Sequence, residues 1–300
     1  MEEIILKAKK VAADLEPWPD YFSSKAREFR TIAYFYGFGG LDSILEIGCG
    51  NGFTAALLSK RARSVTAIDL PAKDAKHHAL GIGVARDLIR RMRVPNVSVV
   101  GATAEELPFS DNSFDCIFFA YALQYVGRKD RALQEMLRVL RAGGVVIAVV
   151  PNFTERVVAP FMKWGYIVKR FTARAIAKVC RGAGSVAVSA SPAGGEKLVA
   201  RSAWLEYFLL RPDGAYGSFL EEMVCHTLGS WKSLFEKNGY SVLRIFSTEL
   251  LPLGLFDILG PSARRMISNA THRLNTALGG IAVIKRFGYS LCLVLTKEAR

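Results

Sequence analysis

Short apolar runs alternate with amphipathic stretches through the first half of the chain. This alternation predicts strands and helices in turn, and hence a parallel sheet that is covered on both faces. Five strands are predicted here: Ser43–Ile47, Ser64–Ile68, Val97–Val100, Phe114–Phe119 and Val145–Val150. The helices predicted between them are Thr54–Arg61, Ala75–Met92 and Arg131–Leu140.

The second half of the chain interrupts this pattern and then resumes it. Between about residues 152 and 229 there is no clear alternation, and a Gly/Ser/Ala-rich segment, Gly182–Gly195, predicts a loop. The elements predicted after it are a helix over Trp231–Lys237, a strand over Ser241–Phe246, a helix over Ser262–Leu278 and a strand over Ser290–Leu295. We therefore predict an N-terminal helical cap (1–40), an α/β core (41–151), an insertion or lid (152–228) and a completion of the core sheet (229–300).

Composition predicts a folded chain with an uneven charge. Hydrophobic residues make up 51% of the sequence, which is ample for a core. The net charge of +13 is concentrated in residues 151–300, with 20 basic and 10 acidic residues against 20 and 17 in residues 1–150. This favours an anionic partner, such as anionic lipid or nucleic acid, although a solvated basic face would look the same.

Cysteine usage and the terminus bear on the compartment. The five cysteines are widely spaced and form no C-x-x-C pair, which predicts neither a disulfide framework nor a metal site. Glu2 and Glu3 are unlike a signal peptide, and no run of about 18 apolar residues lacks a charge. The expectation is a cytoplasmic protein that does not span a membrane, with peripheral contact to anionic membrane left open.

A glycine-rich turn after the first predicted strand is the main candidate for a ligand site. The motif Glu46-Ile47-Gly48-Cys49-Gly50-Asn51-Gly52 has the spacing G-x-G-x-G and leads into a helix. The dinucleotide fingerprint has a different spacing, G-x-G-x-x-G. Asp69 ends the second strand 19 residues after Gly50, at a distance where it could reach a ribose diol. The pattern disfavours NAD or FAD and predicts a nucleoside ligand that has no pyrophosphate.

Three stretches in order resemble class I S-adenosylmethionine-dependent methyltransferases of the small-molecule type. They are ILEIGCGNGFTAALLSKRARSVTAIDL, GATAEELPFSDNSFDCIFFAYALQYV and LRVLRAGGVVIAV, the last with Ala142 where the family usually has proline. The resemblance implies a Rossmann-like sheet of seven strands, mostly parallel with an antiparallel last strand, helices on both faces and a largely helical insertion after the fifth strand. It makes residues 41–151 the S-adenosylmethionine-binding core and implies an enzyme with no metal.

Residue by residue, the resemblance implies a cofactor site along the carboxyl ends of the strands. Glu46, Gly48 and Gly50 would line the methionine portion, Asp69 would accept the ribose hydroxyls, and Leu70 would border the adenine. Thr103 and Ala104 would edge the adenine, with Glu105 as an alternative acceptor. Ala120 and Tyr121 would lie beside the transferring methyl. The full predicted cofactor set is Glu46, Gly48, Cys49, Gly50, Gly52, Asp69, Leu70, Thr103, Ala104, Glu105 and Ala120.

The catalytic residues and the acceptor are less determined by the sequence. A general base is needed only for a protonated acceptor, and His226 and Tyr121 are the candidates, each against the alternative of simple packing. A basic amphipathic stretch, Val157–Phe171, predicts a lid over a lipophilic pocket or a membrane-docking patch, with an ordinary helix packed on the core as the alternative. The expected function is methyl transfer, favouring oxygen, to a small-molecule, lipid-linked or glycan acceptor. The alternatives are an RNA methyltransferase and a non-catalytic binding module with the same fold.

Overall fold

The structure is a computed structural model, and it describes residues 1–15, 21–71, 81–155, 157, 214–249 and 261–298. The α-helices are α1 (Glu2–Val11), α2 (Tyr21–Tyr36), α3 (Phe53–Leu58), α4 (Ile82–Arg91), α5 (Lys129–Val139), α6 (Phe219–Cys225), α7 (Leu228–Lys237), α8 (Pro261–Leu278) and α9 (Ala282–Phe287). The strands are β1 (Leu41–Ile47), β2 (Ala62–Asp69), β3 (Val97–Gly101), β4 (Phe114–Ala120), β5 (Leu140–Pro151), β6 (Tyr240–Glu249) and β7 (Ser290–Lys297).

All seven strands join one sheet in the order β3-β2-β1-β4-β5-β7-β6. The pairs from β3 to β5 are parallel, whereas β7 runs antiparallel to both β5 and β6. The strand order reverses between β1 and β4, and ligands of open α/β sheets bind outside the carboxyl ends of the strands at such a point. The predicted Rossmann-like sheet with an antiparallel last strand is confirmed.

Two apolar cores cover the two faces of the sheet. Alternate residues of one strand point to opposite faces, so Ile44 joins the first core and Leu45 the second. Helices α1 to α4 pack on the first face, while α5 and α7 pack on the second. The strands buried on both sides therefore lack the alternating polar pattern of a half-exposed sheet.

Asp115 joins three strands at the opposite, amino-terminal edge of the sheet. Its Oδ2 accepts hydrogen bonds from the backbone N–H groups of Asp42 and Ser43, at 3.1 and 2.9 Å. Its Oδ1 accepts from Arg141 Nη1 at 2.6 Å. One carboxylate on β4 thus fixes the starts of β1 and β5, while the other edge is left for the ligand site.

Several predicted bounds differ from the structure. The predicted helix over Arg131–Leu140 ends at Val139, because Leu140 already pairs with Phe114 as β5 begins, five residues before the predicted start of that strand. Helices α6 and α9 were not predicted. Helix α6 lies in the stretch without clear alternation, and α9 follows Gly279 and Gly280, which end the predicted helix Ser262–Leu278. Residues 75–80 of the predicted helix Ala75–Met92, the segment Gly182–Gly195 and nearly all of Val157–Phe171 lie outside the described residues. The division into four regions stays a prediction.

Candidate functional site

The glycine turn between β1 and α3 requires glycine at each of the three glycine positions of the motif. Gly48, Gly50 and Gly52 have φ angles of +74°, +58° and +81°, in the left-handed region that L side chains rarely adopt. A Cβ on Gly48 would lie 2.6 Å from the Cβ of Ala122, and one on Gly52 would lie 3.1 Å from Ala85. The turn therefore touches the segment after β4 on one side and α4 on the other.

Most backbone N–H groups of this turn bond within the chain. Gly48 and Cys49 both donate to the carbonyl of Ile68, at 2.9 and 3.0 Å. Gly50 donates to Asp69 Oδ2 at 2.7 Å, and Gly52 donates to the carbonyl of Cys49 at 2.8 Å. A pyrophosphate cradle needs several N–H groups aimed at the ligand, so the turn is poorly suited to a dinucleotide.

Asp69 lies at the end of β2, next to the turn. Its second oxygen accepts from the backbone N–H of Leu70 at 2.7 Å. Burial raises the pKa of this carboxyl, and the two N–H donors, Gly50 and Leu70, work against that rise. Each oxygen keeps one lone-pair site beyond its N–H donor, so Asp69 can still accept from a ligand diol.

Glu46 is a buried carboxyl directly below the turn. It is 3% exposed, and within the described residues its Oε2 atom has no hydrogen-bond partner. Burial raises its pKa well above the usual range, and the negative charge of Asp69 adds to the rise while Lys25 opposes it. Cys49, also buried, has its thiol pKa raised well above normal by burial and by Glu46. A buried acid without a partner is costly unless a ligand supplies a donor or a positive charge.

The segment after β3, which carries the residues predicted for the adenine edge, adjoins Asp69. The backbone N–H of Ala102 donates to the carbonyl of Asp69 at 3.1 Å, and Thr103 forms an isolated bridge with Glu106. Glu105 is committed elsewhere, because its Oε1 accepts from the backbone N–H of Arg128 at 2.7 Å. Thr103 and Ala104 therefore lie beside the candidate site, whereas the Glu105 carboxylate engages the loop before α5.

Tyr121 follows Ala120 at the carboxyl end of β4 and has an unusual backbone. Its φ is +54°, a strained value for an aromatic residue, and strain of this kind clusters at functional sites. The backbone N–H donates to the carbonyl of Val149 at 2.9 Å, and the phenol donates to Glu28 Oε1 at 2.8 Å. Lys25 Nζ lies 4.3 Å from the ring centroid.

Lys25 and Glu28 were not among the predicted site residues. Lys25 Nζ donates to Glu28 Oε2 at 2.7 Å, and both side chains face the sheet from α2. Their i, i+3 spacing alone resembles an ordinary surface pair. The available signal was a glutamate on the apolar face of a predicted helix, where a charged side chain needs a partner.

His226 is placed apart from this group. It is 1% exposed, its Nε2 bonds the hydroxyl of Tyr216 at 3.2 Å, and its ring stacks on Trp231 with centroids 5.6 Å apart. Trp231 belongs to the second core, on the face of the sheet opposite Tyr121. The contacts of His226 are those of a packed residue, and its catalytic role stays a prediction.

The described part of the chain contains neither a candidate metal-binding cluster nor a helix that could span a membrane. Over those residues, no three or more His, Cys, Asp or Glu side chains cluster in a way that could hold a metal ion. None of the helices in those ranges combines the length and the apolar character that crossing a bilayer requires. The four cysteines within the same ranges are free thiols.

Comparison with protein families identifies the segment that carries this site. Residues 45–148 match the family model described as a methyltransferase domain. The ubiquinone/menaquinone biosynthesis C-methyltransferase UbiE of Vibrio cholerae is 39% identical over 121 residues, which are 40% of this chain and 44% of that protein. The chain thus spans less than half the length of this relative.

Comparison with solved structures supports the fold. A candidate methyltransferase from Bacillus halodurans superposes with a TM-score of 0.51 at 14% identity, covering 91% of this chain and 100% of the other. The [4+2]-cyclase SpnF superposes with a TM-score of 0.50 at 16% identity, covering 92% and 82%. The same sheet therefore occurs in proteins of different chemistry, and the site residues must carry any functional argument.

Proposed function

We propose that this chain, whose residues 45–148 match the model of a methyltransferase domain, transfers the methyl group of S-adenosylmethionine to a small-molecule acceptor. The observation that carries the proposal is Glu46, a buried carboxyl whose Oε2 has no hydrogen-bond partner within the described residues, below a turn whose N–H groups are mostly taken. This combination favours a ligand that is cationic and has no pyrophosphate. S-adenosylmethionine has an ammonium group, a sulfonium and a ribose diol, and meets both conditions.

The site residues fit this cofactor. Glu46 would pair with the ammonium group, and Asp69 would accept the ribose hydroxyls with the lone pairs that Gly50 and Leu70 leave free. Thr103 and Ala104 would border the adenine, and Ala120 would face the methionine side. When bound, the cofactor supplies an electrophilic methyl group. Because the leaving group is already good, the protein contributes mainly alignment, exclusion of water and proton transfer.

The acceptor is proposed at two levels. A small-molecule acceptor agrees with the curated relatives, which are named for ubiquinone and menaquinone biosynthesis. Those relatives are named C-methyltransferases, so the methylated atom of the acceptor is either a carbon or the oxygen expected from the sequence. A lipid-linked acceptor, a glycan and contact with anionic membrane stay predictions, because the basic segment 158–171 lies outside the described residues.

Calorimetry with S-adenosylmethionine tests the cofactor site first. We expect micromolar binding by the wild type and at least about tenfold weaker binding by Asp69→Ala and Glu46→Gln, a loss of about 1.4 kcal/mol or more. Glu236→Gln is the matched control, because Glu236 is an exposed α7 glutamate that pairs with Lys232. Absence of binding by folded wild-type protein would refute the proposal and leave a binding module with this fold.

The acceptor class follows from product analysis. The protein with S-adenosylmethionine is offered a naphthoquinol, a simple phenol, a sugar and an RNA oligonucleotide, and products are screened for the added mass of one methyl group. Turnover of the ring compounds supports the small-molecule proposal, and NMR of the product distinguishes carbon from oxygen. Turnover of RNA alone, with an affinity that falls steeply with salt, would replace it by the RNA alternative.

A further inference from the structure

A chain of polar side chains runs from α2 to the β6 and β7 strands, beside the glycine turn. Lys25 and Tyr121 both donate to Glu28, at 2.7 and 2.8 Å, so each carboxylate oxygen has one donor. Ser290 also hydrogen bonds the Tyr121 phenol, and Thr248 Oγ1 lies 2.5 Å from Ser290 Oγ. Glu28, Thr248 and Ser290 are at most 5% exposed, so this polar chain of side chains is almost inaccessible to water.

Tyr121 connects this polar chain to the cofactor turn. The residue after it, Ala122, limits the space at Gly48 to a glycine, because their β-carbons would be 2.6 Å apart. The strained φ of +54° at Tyr121 is held at both ends of the residue, by the backbone bond to Val149 and the phenol bond to Glu28. A bulky residue held in such a conformation indicates that the direction of its hydroxyl matters.

The charges around the polar chain are unbalanced. Three carboxyl groups, on Glu28, Glu46 and Glu249, surround the single ammonium of Lys25. Burial lowers the pKa of Lys25, but Glu28 and Tyr21 more than offset this, so the pKa is raised and the lysine stays cationic. Burial and then Glu28 raise the pKa of Glu249 to about 7, against Lys25 and Arg27. Glu155 also acts on the Tyr121 phenol. Three carboxyl groups thus share one lysine in this cluster.

We propose that Tyr121 and Glu28 bind the hydroxyl group of a phenolic acceptor and take up the proton it loses on methylation. This inference rests on the proposed function and names the acceptor class for it. The acceptor hydroxyl donates to Tyr121 Oη, and Lys25 is the positioning residue that stabilises the anion. A sugar hydroxyl is far less acidic than a phenol, whose pKa is about 10, so this pair is matched to phenols and quinols.

The step balances for either methylated atom. A new O–C or C–C bond forms on the acceptor as the S–C bond breaks, and the electron pair of the broken bond stays on sulfur. The acceptor proton moves to Tyr121 Oη while the phenol proton of Tyr121 moves to Glu28 Oε1. In methylation at a ring carbon, the proton of that carbon afterwards replaces the hydroxyl proton, so one proton is released in both cases. The cationic cofactor and the Glu28 anion are neutralised together.

Binding of a phenol and its methyl ether tests the inference without turnover. The probes are naphthol and methoxynaphthalene, titrated by calorimetry into protein saturated with S-adenosylhomocysteine. We expect the wild type to bind naphthol at least about tenfold more tightly than the ether, since the ether cannot donate to Tyr121. Tyr121→Phe and Glu28→Gln should each remove this preference. Tyr34→Phe, an exposed tyrosine of the same helix as Glu28, and Glu236→Gln should keep it.

The outcomes separate this inference from the proposed function. If the wild type does not bind S-adenosylhomocysteine, the proposed function fails and this inference fails with it. If it binds S-adenosylhomocysteine but binds naphthol and the ether equally, or not at all, only this inference fails. Retention of the preference by both variants would also overturn it. Either variant decides alone if the other does not fold, and ¹³C-labelled tyrosine should show the Tyr121 signal shifting with naphthol but not with the ether.

Discussion

Substitution of Gly48 by alanine tests the reading of the cofactor turn most directly. Two separate penalties act at this position in the structure. The backbone has φ +74°, and the new Cβ would lie 2.6 Å from the Cβ of Ala122, about 1 Å inside a normal carbon contact. The atom in the way is the first carbon of a side chain, which cannot move unless the backbone moves with it.

The two penalties have different expected sizes. An alanine in the left-handed region costs about 1–2 kcal/mol, and overpacking of a fixed site costs about 1–3 kcal/mol more. Gly48→Ala should therefore lower the free energy of unfolding by about 2–5 kcal/mol. It should also weaken S-adenosylmethionine binding. Relief of the contact moves either the turn away from Glu46, or Tyr121 out of its strained backbone conformation.

Gly143→Ala is the matched control for the backbone term. Gly143 has almost the same φ, +73°, but nothing lies within 4 Å of a Cβ placed there. It should lose only about 1–2 kcal/mol and keep cofactor affinity. The double variant Gly48→Ala/Ala122→Gly removes the contact and should recover the steric part of the loss. Urea unfolding and calorimetry measure the two quantities. Equal losses for Gly48→Ala and Gly143→Ala, with cofactor affinity unchanged in both, would refute the steric argument and the proximity of the two segments.

Three further variants test the charges and the packing. Because the pKa of Glu249 is raised from 4.5 to about 7, the folded state loses stability as pH rises between these two values. Glu249→Gln should remove this loss in unfolding experiments. A difference in unfolding free energy between wild type and variant that stays constant from pH 4 to 8 would contradict the prediction. For Asp115, burial raises the pKa, but Arg141 and Ser43 lower it by more, so the net pKa is below its usual value. The stability that Asp115 contributes is therefore present above the usual pKa and lost as pH falls through the lowered value. Asp115→Asn should lower the free energy of unfolding by about 1–3 kcal/mol at neutral pH and by little in strong acid, and an equal loss at both would count against the pairing. His226→Ala should lose about 1–3 kcal/mol of stability with cofactor affinity unchanged; the sequence predicts at least about tenfold lower turnover as well, whereas a turnover that falls no further than the folded fraction would identify a packing residue.

The candidate cofactor residues could be named from the sequence because most of them are close together in the chain, and their role in binding stays a prediction. Glu46, the three glycines and Asp69 occupy one β-α-β unit, β1-α3-β2. The spacing of the glycines indicates where the backbone needs positive φ angles, and Asp69 marks the end of the next strand. The sheet could be predicted for the same reason, since each strand is a contiguous apolar run. The direction of the last strand came from the resemblance, because no local pattern distinguishes parallel from antiparallel burial in the interior of a sheet.

The acceptor half could not be predicted in this way. Glu28 and Tyr121 are 93 residues apart in sequence, and their contact depends on how α2 packs across the first face of the sheet. Tyr121 was expected beside the methyl group, but its positive φ and its phenol partner have no signature in a residue pattern. Helices α6 and α9 were not predicted because α6 lies in the stretch without clear alternation and α9 follows two glycines that end the preceding predicted helix.

The difference between the cofactor residues, which are close in sequence, and the acceptor residues, which are distant, affects how the substrate should be sought. Proteins that share this sheet carry out different reactions, so the fold and the glycine turn constrain the acceptor very little. The discriminating chemistry lies where α2 meets the carboxyl ends of β4 and β6 and the amino end of β7, in a nearly dry cluster whose one lysine is outnumbered by three carboxyl groups. Such a cluster is costly to bury unless a ligand uses it. An acceptor with an acidic hydroxyl uses it by donating to Tyr121 and releasing its proton toward Glu28. A search for the substrate should therefore begin with hydroxylated aromatic rings, and with variants on α2 rather than on the glycine turn.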